Sequence, residues 1–105
     1  MQKDPEIAIE VKKILELIKS IAPGKSVELR VPPYGAIQCV AGGIHRRGTP
    51  PNTVEMSGQT IIQLVQNPTL WDQRVNSGEI QASGAASDLS EIFAAASAKY
   101  PYWRS

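Results

Sequence analysis

A chain of 105 residues, with eleven basic and ten acidic side chains, a net charge of +1 and a hydrophobic share of 42%, has material for one domain with one core and not for two. The charges are mixed along most of the chain, which excludes a basic nucleic-acid tail and a disordered acidic segment. No apolar run approaches the roughly 20 residues of a membrane span, and with Cys39 the only cysteine no internal disulfide can form. The expectation is a soluble, unprocessed, cytoplasmic protein with a single domain over 1–105.

The first segment is the most regular. Asp4 can cap a helix and Pro5 fits its first position, while Ile7, Val11, Ile14, Leu15, Ile18 and Ile21 recur at three- and four-residue steps. This predicts a helix over about 5–22 that stops at Pro23-Gly24, with Lys12, Lys13, Glu16 and Lys19 on the solvent face. "VELRV" (27–31) alternates Val27, Leu29 and Val31 against Glu28 and Arg30, the period of a half-buried strand. "PPYG" (32–35) breaks it and "AIQCV" (36–40) resumes it, so an antiparallel hairpin is the simplest connection.

Breakers from Gly42 to Pro51 exclude long regular structure, and "TVEM" (53–56) predicts a third strand. Ser57 can cap a helix carrying Ile61, Ile62, Leu64 and Val65 that ends near Asn67-Pro68. A shorter helix follows. Thr69 and Asp72 have capping-box spacing, Leu70, Trp71 and Val75 share a face, and Gly78 suits a left-handed stop. "EIQAS" (79–83) alternates again, with Ile80 and Ala82 expected inward. Asp88 begins a last helix with Leu89, Ile92, Phe93 and Ala96 on its stripe, ending before Pro101. The order implies an α+β fold, a mostly antiparallel sheet of four to five strands covered on one face by helices. The strand reached through the helical crossover is expected parallel to a neighbour.

From Val27 to Phe93 the chain resembles the sterol carrier protein family, most closely its small bacterial branch. The residues that carry this are "VELRVPPYGAIQCV", "HRRGTPPNTVEM" and "LWDQRVNSGEIQASGAASDL". In that family a helix, glycine, strand, glycine, helix passage closes the sheet and walls an apolar cavity for lipid-like ligands. The resemblance therefore implies non-catalytic binding or transfer of a lipid or other small apolar molecule. Leu64, Val65, Leu70, Trp71, Val75, Ile80, Ile92 and Phe93 would border the groove; the alternative is that they are ordinary core, in a protein-interaction or regulatory module of the same fold. A sealed empty cavity of about 300 Å³ would cost about 7 kcal/mol at about 24 cal/mol per Å³, against a typical domain stability of about 5–15 kcal/mol. Such a space persists only if it is occupied or open to solvent.

Catalytic chemistry finds little material. His45 is the only histidine, and one cysteine gives no metal-ligand spacing, so neither a metal nor a cofactor is expected. Cys39 reads as a small buried filler more than as a catalytic thiol, with no neighbour in sequence to lower its pKa, and a nucleophile assembled with His45 across the fold is the alternative. "PGKS" (23–26) lacks the first glycine of a phosphate loop and follows a helix instead of preceding one. His45, Arg46 and Arg47 form a basic loop with no acidic residue between Leu29 and Val54. The loop is either a solubilising surface or a head-group contact, since guanidinium forks suit carboxylates and phosphates. Tyr100, Tyr102 and Trp103 either pack back on the first helix or sheet, or offer a homodimer or lipid-collision surface. The chain carries no peroxisomal Ser-Lys-Leu ending.

Overall fold

Asp4 opens the first helix as its place before Pro5 predicts. Its carboxylate accepts hydrogen bonds from the backbone N–H groups of Glu6 (2.9 Å) and Ile7 (3.3 Å), and the helix, α1, runs Pro5–Ile21. Two donors that a helix start leaves orphaned are thereby satisfied. The computed structural model describes residues 3–42 and 51–100.

Four strands follow the predicted alternation: β1 Val27–Val31, β2 Gly35–Cys39, β3 Asn52–Met56 and β4 Ile80–Ser83, in the spatial order β2-β1-β3-β4. The hairpin is antiparallel, with Val27 opposite Cys39 and Val31 opposite Gly35. Its turn is closed by the Tyr34 N–H donating to the Val31 carbonyl at 2.8 Å. The parallel pair, however, is β1 with β3, and β4 lies antiparallel to β3. The crossover expectation misplaced it for a physical reason. Two helical segments separate β3 from β4, and the second returns the chain to the end where β3 stopped, so Ile80 starts opposite Met56.

The helix layer consists of α1, α2 (Gly58–Gln66), α3 (Trp71–Asn76) and α4 (Ser90–Lys99), with a 3-10 turn at Pro68–Leu70 leading into α3. Ser57 caps α2 as predicted, its hydroxyl accepting from the Thr60 N–H at 3.1 Å. The Thr69–Asp72 capping box does not form. Pro68 sets the 3-10 turn, Thr69 donates its hydroxyl to Asn67 Oδ1 at 2.6 Å, and α3 begins without a side-chain cap. Gly78 takes the predicted left-handed conformation at φ +84°.

The helix-facing side chains of the sheet, among them Val27, Leu29, Val31, Val54 and Ile80, share one core cluster with Ile14 and Ile18 of α1, Ile61 and Leu64 of α2, and Phe93 of α4. Leu17, outside the predicted apolar stripe, is buried as well, because α1 is flanked by α2 and α4 as well as by β2. Ala82 departs from expectation. It stands on the helix side of the sheet, opposite buried Val54, yet is exposed, because the six residues of α3 reach only far enough to cover Ile80.

Asn52 joins the strand ends. Buried at the start of β3, it donates Nδ2–H to the Ser26 carbonyl at 2.8 Å and accepts from the Ala86 N–H on Oδ1 at 2.9 Å. The chain leaving β4 is thus clasped to the chain entering β1. Gly84, at φ +109°, lies so close that a Cβ there would run into the Asn52 carboxamide.

Candidate functional site

The eight side chains that the resemblance marks as a ligand wall are brought into one neighbourhood. Leu64, Val65, Trp71, Ile80 and Phe93 belong to the buried core, and Leu70, Val75 and Ile92 are half-buried against it. The indole of Trp71 and the ring of Phe93 are 5.9 Å apart between centroids and tilted by 30°, within the range of favourable aromatic pairs. These side chains fill the space between β4, α2 and α4, with α3 and its 3-10 turn as the covering flap. Their half-buried members form its rim.

Arg74 fastens that flap. One guanidinium nitrogen donates to Gln63 Oε1 of α2 at 3.2 Å and another lies 3.6 Å from Glu79 Oε1, beyond Gly78. Its buried Nε has no hydrogen-bond partner among the described residues. The other main contacts of α3 are with β4 and the 3-10 turn, besides the ring contact of Trp71 with Phe93 of α4. This helix is held by one tier of apolar packing and two long polar contacts, the weakest attachment in the helix layer.

Among the described residues, the most prominent clefts are lined by none of the eight residues. Two lie around Pro32 and Glu55 at the end of the open sheet face. The third, of about 330 Å³, lies between α1 and β2. Sequence reasoning missed it because "PPYG" reads as a turn, whereas the relevant fact is that Gly35 has no side chain on the helix side of an edge strand.

His45, Arg46 and Arg47, together with Tyr102 and Trp103, lie outside the described residues. Tyr100 packs back on the core, and its hydroxyl donates to Glu10 Oε2 of α1 at 2.7 Å. Among the described residues no group of three His, Cys, Asp or Glu side chains could hold a metal ion, and no helix is long and apolar enough to cross a membrane.

Cys39 ends β2 with its side chain fully buried, and desolvation pushes its thiol up to about 11. The protonated thiol is therefore the form compatible with the fold. Native protein at pH 8 is expected to resist iodoacetamide and to react once unfolded in urea. The folded value lies above the ordinary 9.0, so this group's stabilisation is fully present below pH 9 and is lost as pH rises toward about 11. Chemical denaturation across that window should show a decline of about 2–3 kcal/mol that Cys39→Val flattens.

A helix layer over one face of an open mixed sheet is the architecture of the SCP2-like proteins. A solved structure described as UbiJ-SCP2, a ubiquinone synthesis protein, superposes with a TM-score of 0.52, covering 93% of this chain and 94% of that chain at 14% identity. At that identity the likeness speaks for the fold alone. No curated protein sequence matches the chain. The profile of a family described as bacterial SCP ortholog matches residues 3–94, and the chain belongs to that family, which is associated in general with lipid binding and transfer.

Proposed function

We propose that this chain is a non-catalytic cytoplasmic carrier of a lipid or other small apolar molecule, held between the sheet and the flap formed by the 3-10 turn and α3. The observation that carries the reading is membership, over residues 3–94, of a family of lipid-binding and transfer proteins. The geometry of the flap supports it. Trp71 rests on Phe93 rather than on a polar network, and Leu70, Val75 and Ile92 offer an apolar rim at which a guest can enter. The packed interior accords with the energetics, because a void large enough for a ligand would cost about 7 kcal/mol if left empty. The guest then takes the place of the Trp71–Phe93 contact as the flap lifts.

The test is a titration of Trp103→Phe protein, in which Trp71 is the remaining tryptophan, with a fluorescent polyunsaturated fatty acid. Saturable energy transfer from Trp71 at micromolar protein is expected, and its absence removes the carrier reading. One observation favours a second reading, an interaction module with a permanently filled core: five of the eight wall residues are already buried among one another. Native mass spectrometry of protein purified without detergent separates the two, since a carrier retains host lipid and a filled scaffold does not.

A further inference from the structure

On a sheet covered by helices, the helix-facing positions of an edge strand ordinarily carry large apolar side chains. Along β2 these positions are Gly35, Ile37 and Cys39, which run from exposed through half-buried to fully buried. The strand thus loses its filling toward the turn. Across from Gly35, α1 presents Leu15, whose Cδ1 would stand 3.6 Å from a Cβ there, and further along the same cleft Ala8, another small residue, one helical turn before Lys12. With small residues on both walls, Gly35 and Ala8, a cleft of about 330 Å³ lies between α1 and β2, at the low end of the range of about 300–1,000 Å³ usual for small-ligand sites.

The floor of the cleft is apolar, made by Leu15 and Ile37, and its end wall is Tyr34. That wall is fixed, because the Tyr34 hydroxyl accepts from the Asp4 N–H at 3.2 Å and the ring packs against Gly58 at the start of α2. Lys3 and Lys12 stand at the rim with one carboxylate, Glu16. Neither ammonium is ion-paired among the described residues. A cleft at the low end of the ligand-site range, with an apolar floor and two lysines against one carboxylate at its mouth, matches a small amphiphile with one tail and an anionic head.

We propose that the α1–β2 cleft is a binding site for a single-chain anionic amphiphile of the long-chain carboxylate class. Lys12 and Lys3 take the carboxylate, and the tail lies on Leu15 and Ile37 in the space Gly35 leaves. The site is separate from the space under α3 and needs no flap to open.

The experiment is a methyl and amide NMR titration of the full chain with laurate and, in parallel, with dodecyltrimethylammonium, which carries the same tail and the opposite charge. Laurate is expected to give saturable shifts at Leu15, Gly35 and Ile37, and the cation to bind at least tenfold more weakly there. Lys3→Glu with Lys12→Glu should cut laurate affinity about tenfold, the worth of a charge-assisted hydrogen bond. Gly35→Leu should abolish the shifts by filling the floor. Its Cβ would meet only Leu15 Cδ1, at an ordinary 3.6 Å, and the surface lysine variants give a readout independent of it. Equal affinity for the two amphiphiles, undiminished laurate binding in Gly35→Leu, shifts confined to Trp71 and Phe93, or no saturable shifts at all would each overturn the proposal. Gly35→Leu also separates this site from the carrier reading, because energy transfer from Trp71 that survives in the variant belongs to the space under α3, and transfer lost with it belongs to the cleft.

Discussion

Asn52→Ala is expected to lower stability by about 2–3 kcal/mol, measured as a fall in the urea midpoint. The truncation removes two hydrogen bonds, to the Ser26 carbonyl and from the Ala86 N–H. It also strands the Ser26 carbonyl at a buried position, at a cost of about 1–3 kcal/mol, whereas the N–H of exposed Ala86 can turn to water. Gly84→Ala should cost a comparable amount, because its φ of +109° is one that residues with a Cβ rarely adopt and its Cβ would strike the Asn52 carboxamide. The two changes should not add. In the Asn52→Ala background the carboxamide is gone, so part of the penalty at position 84 disappears, and a double-mutant cycle should show coupling above about 0.5 kcal/mol. Additive behaviour would mean that the clasp is not what fixes the exit from β4.

Phe93→Ala is the second large effect, with an expected loss of about 3–5 kcal/mol. The ring is fully buried where α4 meets the cluster, and it is the aromatic partner of Trp71. Removing it leaves a cavity under α3, the most weakly tied helix, so amide exchange should accelerate in residues 68–78 beyond the global destabilisation. Ile92→Ala, on the half-buried rim one position earlier, should cost about 1–2 kcal/mol, since a partly exposed side chain forfeits less burial. Thermal melts of the pair test this ranking, and a larger loss at Ile92 would contradict the placement of Phe93 at the centre.

What was legible in the sequence is what short-range chemistry determines. Asp4-Pro5 and the three- and four-residue steps to Ile21 mark α1 because capping and amphipathicity act within a few residues, and "VELRV" marks β1 for the same reason. The parallel pairing of β1 with β3 depends on where a chain lands after a long excursion, and no local pattern encodes that. Asn52 went unnoticed beside Pro50-Pro51, where its surroundings suggest a loop, although its role comes from partners 26 and 34 positions away. Alternation correctly turned Ala82 toward the helix side but could not reveal that α3 would stop short of it. The wall residues illustrate the same limit. Their periodicity shows that they face inward, but an inward-facing leucine looks the same in sequence whether it meets another leucine or a guest.

The parallel junction at the middle of the sheet also constrains synthesis of the chain. β1 and β2 can meet as soon as the hairpin leaves the ribosome, but the other edge of β1 waits for β3, and the core waits for Phe93 near the far end of the described chain. A nascent polypeptide that has reached only residue 42 therefore presents Val27, Leu29 and Val31 with α1 as their sole cover, a sticky half-sandwich. Emergence of α4 converts it into a closed particle. Ribosome stalling before α4 has emerged is thus the stage at which chaperone capture of this protein should be greatest.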